Sequence, residues 1–414
     1  MKNILCFIFV FSIGRFSYSQ VAGCTDPLAA NYNAAATIND GSCTYNNTSY
    51  TPAVKVDPLS DSVIETSDLQ MAGGFLWTIN DRLGKPALYR IDTVTNTIQQ
   101  RVILAGATNV DWEAISYDGS FFYIGDFGNN QTGGRTDLKI YKFSFNLIHL
   151  GLPVDTIQPA DIETINFIYS DQPQPAVASG YNNTKFDCEA MIVDNGKIHL
   201  FSKNWIANNS THYVINGIKA GNYTATAIET FNTNYLVTAA SKVQAQNIVV
   251  LLGYQNSGLG NHYLHILSGY TADSFFNGNK RMISLGDATV MGQGEGLTFR
   301  EGKYGYISNE QFVRTIGPVT LTVKQKLRSF DISGFVADHF TSYLFIGNGN
   351  WSDTANWQYN MAPPQALSPG NEIVIDPPAN GKCVLDIPYT MPPGSKFTVK
   401  AGKRFLMNEY LLIK

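Results

Sequence analysis

The sequence predicts an all-β protein: a five- or six-bladed β-propeller followed by a small C-terminal β domain. Three observations predict it. Charged residues make up 15% of the 414, while 22 Tyr, 24 Phe and 36 Gly are present. An average soluble chain is about 25% charged, and a low-charge chain rich in aromatics and turn residues favours strands. From residue 60 to 335 the chain reads as short β runs and turns without a convincing helical period. The same stretch also repeats itself, in a manner suited to stacked four-stranded units.

The chain begins with a segment that reads as a secretory signal, residues 1–19. Lys2 supplies the positive start, residues 4–13 are apolar, and Ser17-Tyr18-Ser19 carries small residues at the cleavage positions. Ten apolar residues are too few to span a bilayer, which needs about 20. No later run is long enough, so no transmembrane segment is expected and the protein reads as secreted or held at the cell surface.

Export makes disulfides available. Cys6 leaves with the signal, and Cys24, Cys43, Cys188 and Cys383 remain. Cys24 and Cys43 bracket a short polar loop and are expected to pair, which would contribute about 3 kcal/mol. Cys188 and Cys383 read as separate buried thiols rather than a bridge. The spacing offers no zinc pattern.

Residues 20–46 form a disulfide-closed, Asx-rich module with too little apolar surface to fold alone. Asp26, Asn31, Asn33 and Asp40 supply oxygen atoms of the kind Ca²⁺ takes; the alternative is that they make turns. The wording Gly23-Cys24-Thr25-Asp26-Pro27 … Asp40-Gly41-Ser42-Cys43 resembles a short module of secreted Bacteroidetes proteins. Residues 47–59 read as a linker or a closing strand.

Within residues 60–335 three stretches align. Asp111-Trp112-Glu113-Ala114 leads into a strand ending at Asp126. Asp187-Cys188-Glu189-Ala190 leads into one ending near Asn204. Gln293-Gly294-Glu295-Gly296 leads into one ending at Asn309. Two further stretches, one ending at Asn80, share the pattern without the Glu. Third and fourth strands follow, and the extra length falls in the second unit, residues 151–183. Residues i and i+2 of a strand share a face. Asp111 and Glu113 therefore lie together, as do Asp187 and Glu189. If these start the innermost strands, Glu113, Glu189 and Glu295 form an acidic ring at the axis. Like charges so close repel unless a cation joins them, and oxygen donors without His or Cys suit Ca²⁺. The alternative is that each Glu bonds neighbouring amides and locks the blades. Asn80, Asp126, Asn204 and Asn309 are expected at the channel mouth.

The Glu-Ala/Gly steps at Glu113, Glu189 and Glu295, with Gly125-Asp126-Phe127-Gly128-Asn129 and Ser308-Asn309-Glu310, resemble the secreted propellers of the phytase-like, esterase-like and SdiA-regulated families. The resemblance implies a calcium-associated propeller of hydrolase ancestry. The chain lacks the dense Lys/Arg set that would hold a polyphosphate.

Residues 343–414 show short alternating strands with Pro/Gly corners, a small β-sandwich or β-helix-like domain with Trp351 and Trp357 in its core. The wording Gly349-Asn350-Trp351-Ser352-Asp353 … Asn356-Trp357 resembles a terminal module of secreted Bacteroidetes proteins. No G-x-S-x-G or H-E-x-x-H pattern is present. Asp126 to Asp137 has EF-hand length but Gly at its third position and no closing Glu, and reads as a surface loop. His199 and His212 read as a structural pair. A net charge of −4 argues against a nucleic-acid partner. The expected function is a calcium-supported extracellular binding or scaffold protein whose ligand is a glycan or a protein. The alternative is a metal-dependent hydrolase of phosphoesters, esters or lactones working at the propeller axis.

Overall fold

The computed structural model describes residues 21–82, 85–243, 246–339, 342–358, 362–364, 367, 371–391 and 395–413. The signal-like segment lies outside the described residues. The protein is nearly all β. Antiparallel strands assemble into four-stranded units, and five can be traced. Unit 1 is Thr66–Ala72, Phe75–Asn80, Ala87–Ile91 and Ile98–Leu104. Unit 2 is Trp112–Tyr117, Phe121–Asp126, Lys139–Ser144 and Glu163–Tyr169. Unit 3 is Asp187–Asp194, Lys197–Lys203, Ser210–Ile215 and Gly221–Phe231. Unit 4 is Leu236–Lys242, Ile248–Tyr254, His262–Ser268 and Asn279–Gly286.

Unit 5 takes Gln293–Glu301, Tyr304–Glu310 and Lys326–Asp331 from one end of the repeat. Its outer strand is Ala53–Val56 from the other, paired antiparallel with Lys326–Asp331. The first strand of each unit packs against the first strand of the next, and unit 5 returns to unit 1. The ring thus closes as a propeller closes. Two parallel pairings stiffen its rim. Val154–Ile157 adds to the outside of unit 1, and the long strand Gly221–Phe231 of unit 3 pairs with Glu163–Tyr169 of unit 2. A hairpin, Phe312–Ile316 with Val319–Val323, is inserted in unit 5.

The units hold together because both faces of each sheet are apolar. Between units 1 and 2 lie Trp77, Trp112, Ile124 and Phe122, all fully buried. Between units 4 and 5 lie Ile248, Leu264, Leu297 and Ile307. Sheets covered on both faces carry apolar residues on both sides of a strand, as in Ile248–Tyr254. Between units 3 and 4, His199 Nδ1 meets His212 Nε2 at 2.9 Å, and His212 Nδ1 meets Glu229 Oε1 at 3.0 Å. Burial pushes His199 down to about 4, so this pair is part of the packing.

The Asx-rich module is held by the bond between Cys24 and Cys43 and by a short parallel bridge, Ala22–Gly23 with Ile38–Asn39. Cys188 and Cys383 are buried thiols. In the C-terminal region the strands pair in parallel, coil upon coil. Ser342–Phe345, Glu372–Ile375 and Lys396–Val399 form one ladder; Gly349–Asn350, Lys382–Leu385 and Arg404–Met407 form another. This is the β-helix-like arrangement, not a sandwich. Trp351 and Trp357 fill its interior, their rings 4.8 Å apart. Among the described residues no helix is long and apolar enough to cross a membrane.

Candidate functional site

All five inner strands carry the same irregularity at the same level. The pairing slips between Thr66 and Asp68, Trp112 and Ala114, Cys188 and Ala190, Val237 and Ala239, and Gly294 and Gly296. The residues left over are Ser67, Glu113, Glu189, Thr238 and Glu295. A bulge bends its strand and re-aims the extra side chain. Ser67, Glu113, Glu189 and Glu295 line one cavity of about 260 Å³, at the end of the ring where the inner strands begin.

The second strand of each unit adds the residue just beyond that level. Thr66 pairs with Asn80, Cys188 with Ser202, Val237 with Gly253 and Gly294 with Asn309. The next residues, Asp81, Lys203, Tyr254 and Glu310, all line the cavity; in unit 2 the position is Phe127, buried in the core. Here the expected mouth residues need correction. Asn80, Asp126 and Asn309 stand one residue before this position and Asn204 one after, and a strand alternates its faces at every residue. None of the four lines the cavity. Asn80 Nδ2 donates to Ser62 O at 2.9 Å, and Asp126 Oδ1 accepts from Asp111 N at 3.1 Å and Arg135 Nη2 at 2.9 Å. Asn204 Oδ1 accepts from Ile206 N and Ala207 N, and Asn309 Nδ2 donates to Glu310 O and Lys324 O. The guanidinium of Arg135 also reaches Gly128 O and Asp137, so a cation of the chain's own fills that loop.

Six carboxylates line the cavity: Glu65, Asp81, Glu113, Glu189, Glu295 and Glu310. Against them stand Lys203, Arg82 and Arg314. Lys203 Nζ lies 2.6 Å from Glu189 Oε1, and its ammonium sits over the rings of Trp205 and Tyr254. Burial works against the Lys203 charge, but Glu189 and its neighbours outweigh it and hold the ammonium well above its ordinary range. The other acids face one another. Asp111 lies against Asp81, Glu65 against Glu310, and Glu295 against Glu189. Burial pushes Glu113 well up, reinforced by Asp81 and Glu189. Burial, then Glu295 and Glu65, does the same to Glu310. Asp111 is pushed up to about 8, first by burial and then by Asp81.

Two of the lining acids converge with a third, Asp111, that is not itself part of the lining. Asp81, Asp111 and Glu113 each bring a carboxylate oxygen within 4.8 Å of the others. Asp111 is 3% exposed, and its Oδ1 accepts no hydrogen bond; Arg82 Nε stands 3.5 Å away. The chain backs tightly onto this pair of acids. A Cβ on Gly128 would lie 2.5 Å from Asp111 Oδ2 and 2.6 Å from Glu113 Oε1, so a side chain there would occupy the space the oxygens share. Asp81 was missed from sequence. Counting one residue past Asn80 on the alternating strand would have found it.

Other expected ligands are already engaged. Asp187 Oδ1 accepts from Asn129 N at 2.6 Å, and its Oδ2 accepts from Trp205 Nε1 at 2.7 Å. Both oxygens therefore serve fixed donors, and Asp187 positions Trp205 instead of facing the axis. In the N-terminal module Asp26 accepts from Leu28 N and Tyr45 Oη, Asn31 from Thr44 N, Asn33 from Ala35 N and Asp40 from Ser42 N. The bonds from Leu28, Ala35 and Ser42 are turn-forming, those from Thr44 and Tyr45 tie the loop across, and among the described residues no three His, Cys, Asp or Glu side chains gather there. The blade lock offered as the alternative role of Glu belongs to Asp68, whose carboxylate accepts N–H groups of Leu69, Ile115 and Leu297 across three units.

No family model matches the chain, and no curated protein matches it. Solved structures do resemble it. The PQQ-bound aldose sugar dehydrogenase of Streptomyces coelicolor is 10% identical, over 67% of this chain and 97% of that one, with a TM-score of 0.34. The WD40 repeats of RRP9 are 7% identical, over 64% of this chain and 67% of that one, with a TM-score of 0.31. The two neighbours differ in function, and at these scores neither carries an argument about what the cavity does.

Proposed function

We propose that this is an extracellular binding propeller whose axial mouth is organised by Ca²⁺, held by Asp81, Asp111 and Glu113. The observation that carries the reading is the convergence of these three carboxylates around a buried oxygen, Asp111 Oδ1, that has no hydrogen-bond donor. The donor set is oxygen alone, the chemistry of a hard cation and not of zinc or copper. A bound divalent ion adds to the positive charge that Arg82 brings to Asp81 and Asp111. Lys203 plays that part for Glu189; at Asp111 the built-in cation is Arg82, 3.5 Å away and partly exposed, and burial with Asp81 outweighs it. The signal-like residues 1–19 and the disulfide support export.

Thermal melting under a Ca²⁺ titration tests this directly. The melting temperature is expected to rise saturably with Ca²⁺ and to fall back with a chelator. Asp111→Asn should abolish the response while the apo protein melts no lower than wild type. An unchanged melting temperature at millimolar Ca²⁺, or a full response in Asp111→Asn, would overturn the reading.

A second reading, a hydrolase acting on esters or lactones, draws on the raised carboxyls that border the same cavity. Phosphoesters fit it less well, because six acids outnumber three bases in the lining. Chelator-sensitive turnover on an ester and lactone panel, lost in Glu113→Gln, would favour it over pure binding.

A further inference from the structure

We infer that the axial cavity takes the terminal ring of a neutral sugar, seated beside the cation site and against Tyr181 and Trp205. The inference rests on the binding role proposed above for the same cavity. It draws on lining residues that the cation site does not use.

The first argument is size. A cavity of about 260 Å³ falls below the roughly 300–1,000 Å³ that encloses a drug-sized ligand. It fits one small ring better than a peptide or a nucleotide.

The second argument is hydrogen bonding. Asn130 is 7% exposed and lines the cavity, yet its Oδ1 has no donor; Asn182 Oδ1 on the same wall has none either. The two residues are fixed to each other, since Asn182 N donates to Asn130 O at 2.8 Å. Buried acceptors left without donors are uncommon, and each asks for a partner. Donors stand in the same lining: the Lys203 ammonium and the Arg82 guanidinium. A ligand here must therefore both donate and accept, which hydroxyl groups do. An anionic ligand would meet Glu113, Glu189, Glu295 and Glu310. A cationic one would meet Lys203 and Arg82, and would compete with the ion for Glu113. A neutral polyol meets neither penalty, and its adjacent hydroxyls can replace water as oxygen ligands of a calcium ion.

The third argument is the aromatic wall. Trp205 is fixed by its indole N–H on Asp187 Oδ2, which gives that aspartate a reason to be withdrawn from the axis. Tyr181 stands 67% exposed at the rim, an aromatic side chain left largely uncovered. An apolar ring body with a polar edge is suited to the C–H face of a sugar, and less so to a flexible polyamine.

Binding of the full-length mature chain to an array of neutral and acidic glycans, followed by calorimetry with free monosaccharides in Ca²⁺ and in chelator, tests the inference. Saturable binding confined to neutral sugars is expected. Tyr181→Ala, at an exposed position where folding is not at stake, should weaken it about three- to tenfold. Asn130→Leu should weaken it further. Selective binding of acidic glycans, no binding of any glycan, or full affinity in both variants would overturn it. The two proposals fail separately. A calcium-induced melting shift without any sugar binding would remove the sugar and leave the ion. Sugar binding that is identical in Ca²⁺ and chelator, without a melting shift, would remove the ion and leave the sugar.

Discussion

The N-terminal module and the axial mouth are built from the same kinds of residue and put them to opposite uses. In the module Asp26, Asn31, Asn33 and Asp40 each accept a backbone N–H from a neighbour a few residues away or across the loop. Their oxygens are occupied by the fold itself. At the axis the acids arrive from different units, and among the described residues Asp81 alone of them accepts a backbone N–H, that of Arg82. The lesson concerns the origin of donors. Side chains that meet through local turns find amides close by. Side chains that meet through long-range packing meet one another, and like charges then need protons, a lysine or an ion.

The comparison can be broken most forcefully at Lys203, the most deeply buried cation of the cavity lining. Lys203 and Glu189 are both almost fully buried. Lys203→Met should destabilise the protein by about 3–5 kcal/mol, because Glu189 is left buried without a counter-charge. The double variant Lys203→Met/Glu189→Met should recover most of that loss in chemical denaturation. If the single variant melts like wild type, the internal ion pair is not what holds this corner.

The pH profile is the next largest effect. Asp111 is raised from 3.8 to about 8 in the folded protein. The folded state therefore binds this proton more tightly than the unfolded one. In chelator, its contribution to stability is present in full below pH 3.8, declines as pH rises above that value, and is gone once pH has passed about 8. Calcium should flatten that slope and itself bind more tightly as pH rises from 6 to 8. An apo protein whose stability is flat over this range would contradict the shared-proton account of the acidic pair.

The module should give smaller and calcium-independent effects. Asp26→Asn replaces the charged acceptor of the Tyr45 hydroxyl, a bond of 2.6 Å. It should cost about 1 kcal/mol locally, seen as faster proteolysis of residues 21–46 with an unchanged calcium response. Asp40→Asn is expected to do least. An amide oxygen can still accept from Ser42 N, so melting and calcium response should both match wild type. A calcium response lost in either variant would move the ion to the module and reverse the comparison.

Much of this was legible in the sequence, for reasons that can be named. The repeat showed because three stretches align on a Glu followed by Ala or Gly, each leading into a second strand. Glu113, Glu189 and Glu295 stood out for that reason. The pairing of Cys24 with Cys43 was legible from its short polar loop. What the sequence concealed was phase. The inner strands carry a bulge that no residue type announces, and the cavity residue of the second strand stands one after Asn80 and Asn309 but one before Asn204. A shift of one residue changes the face, so Asp81, Lys203 and Glu310 were passed over at the mouth in favour of their neighbours. Asp187 misled in another way. Its spacing from Glu189 matches that of Asp111 from Glu113, but Trp205 and the Asn129 amide, both distant in the repeat, take its oxygens.

The closing strand of unit 5 has a consequence in time. Ala53–Val56 leaves the ribosome long before its partner, Lys326–Asp331, exists. At about 5–20 residues per second it waits on the order of tens of seconds with its ladder edge unpaired. The ring cannot be sealed by any early part of the chain, so a ribosome that stalls before the last unit releases an open array with two sticky ends. Val54 remains exposed even after closure; the charge of Lys55 beside it opposes pairing of the waiting strand with another nascent chain.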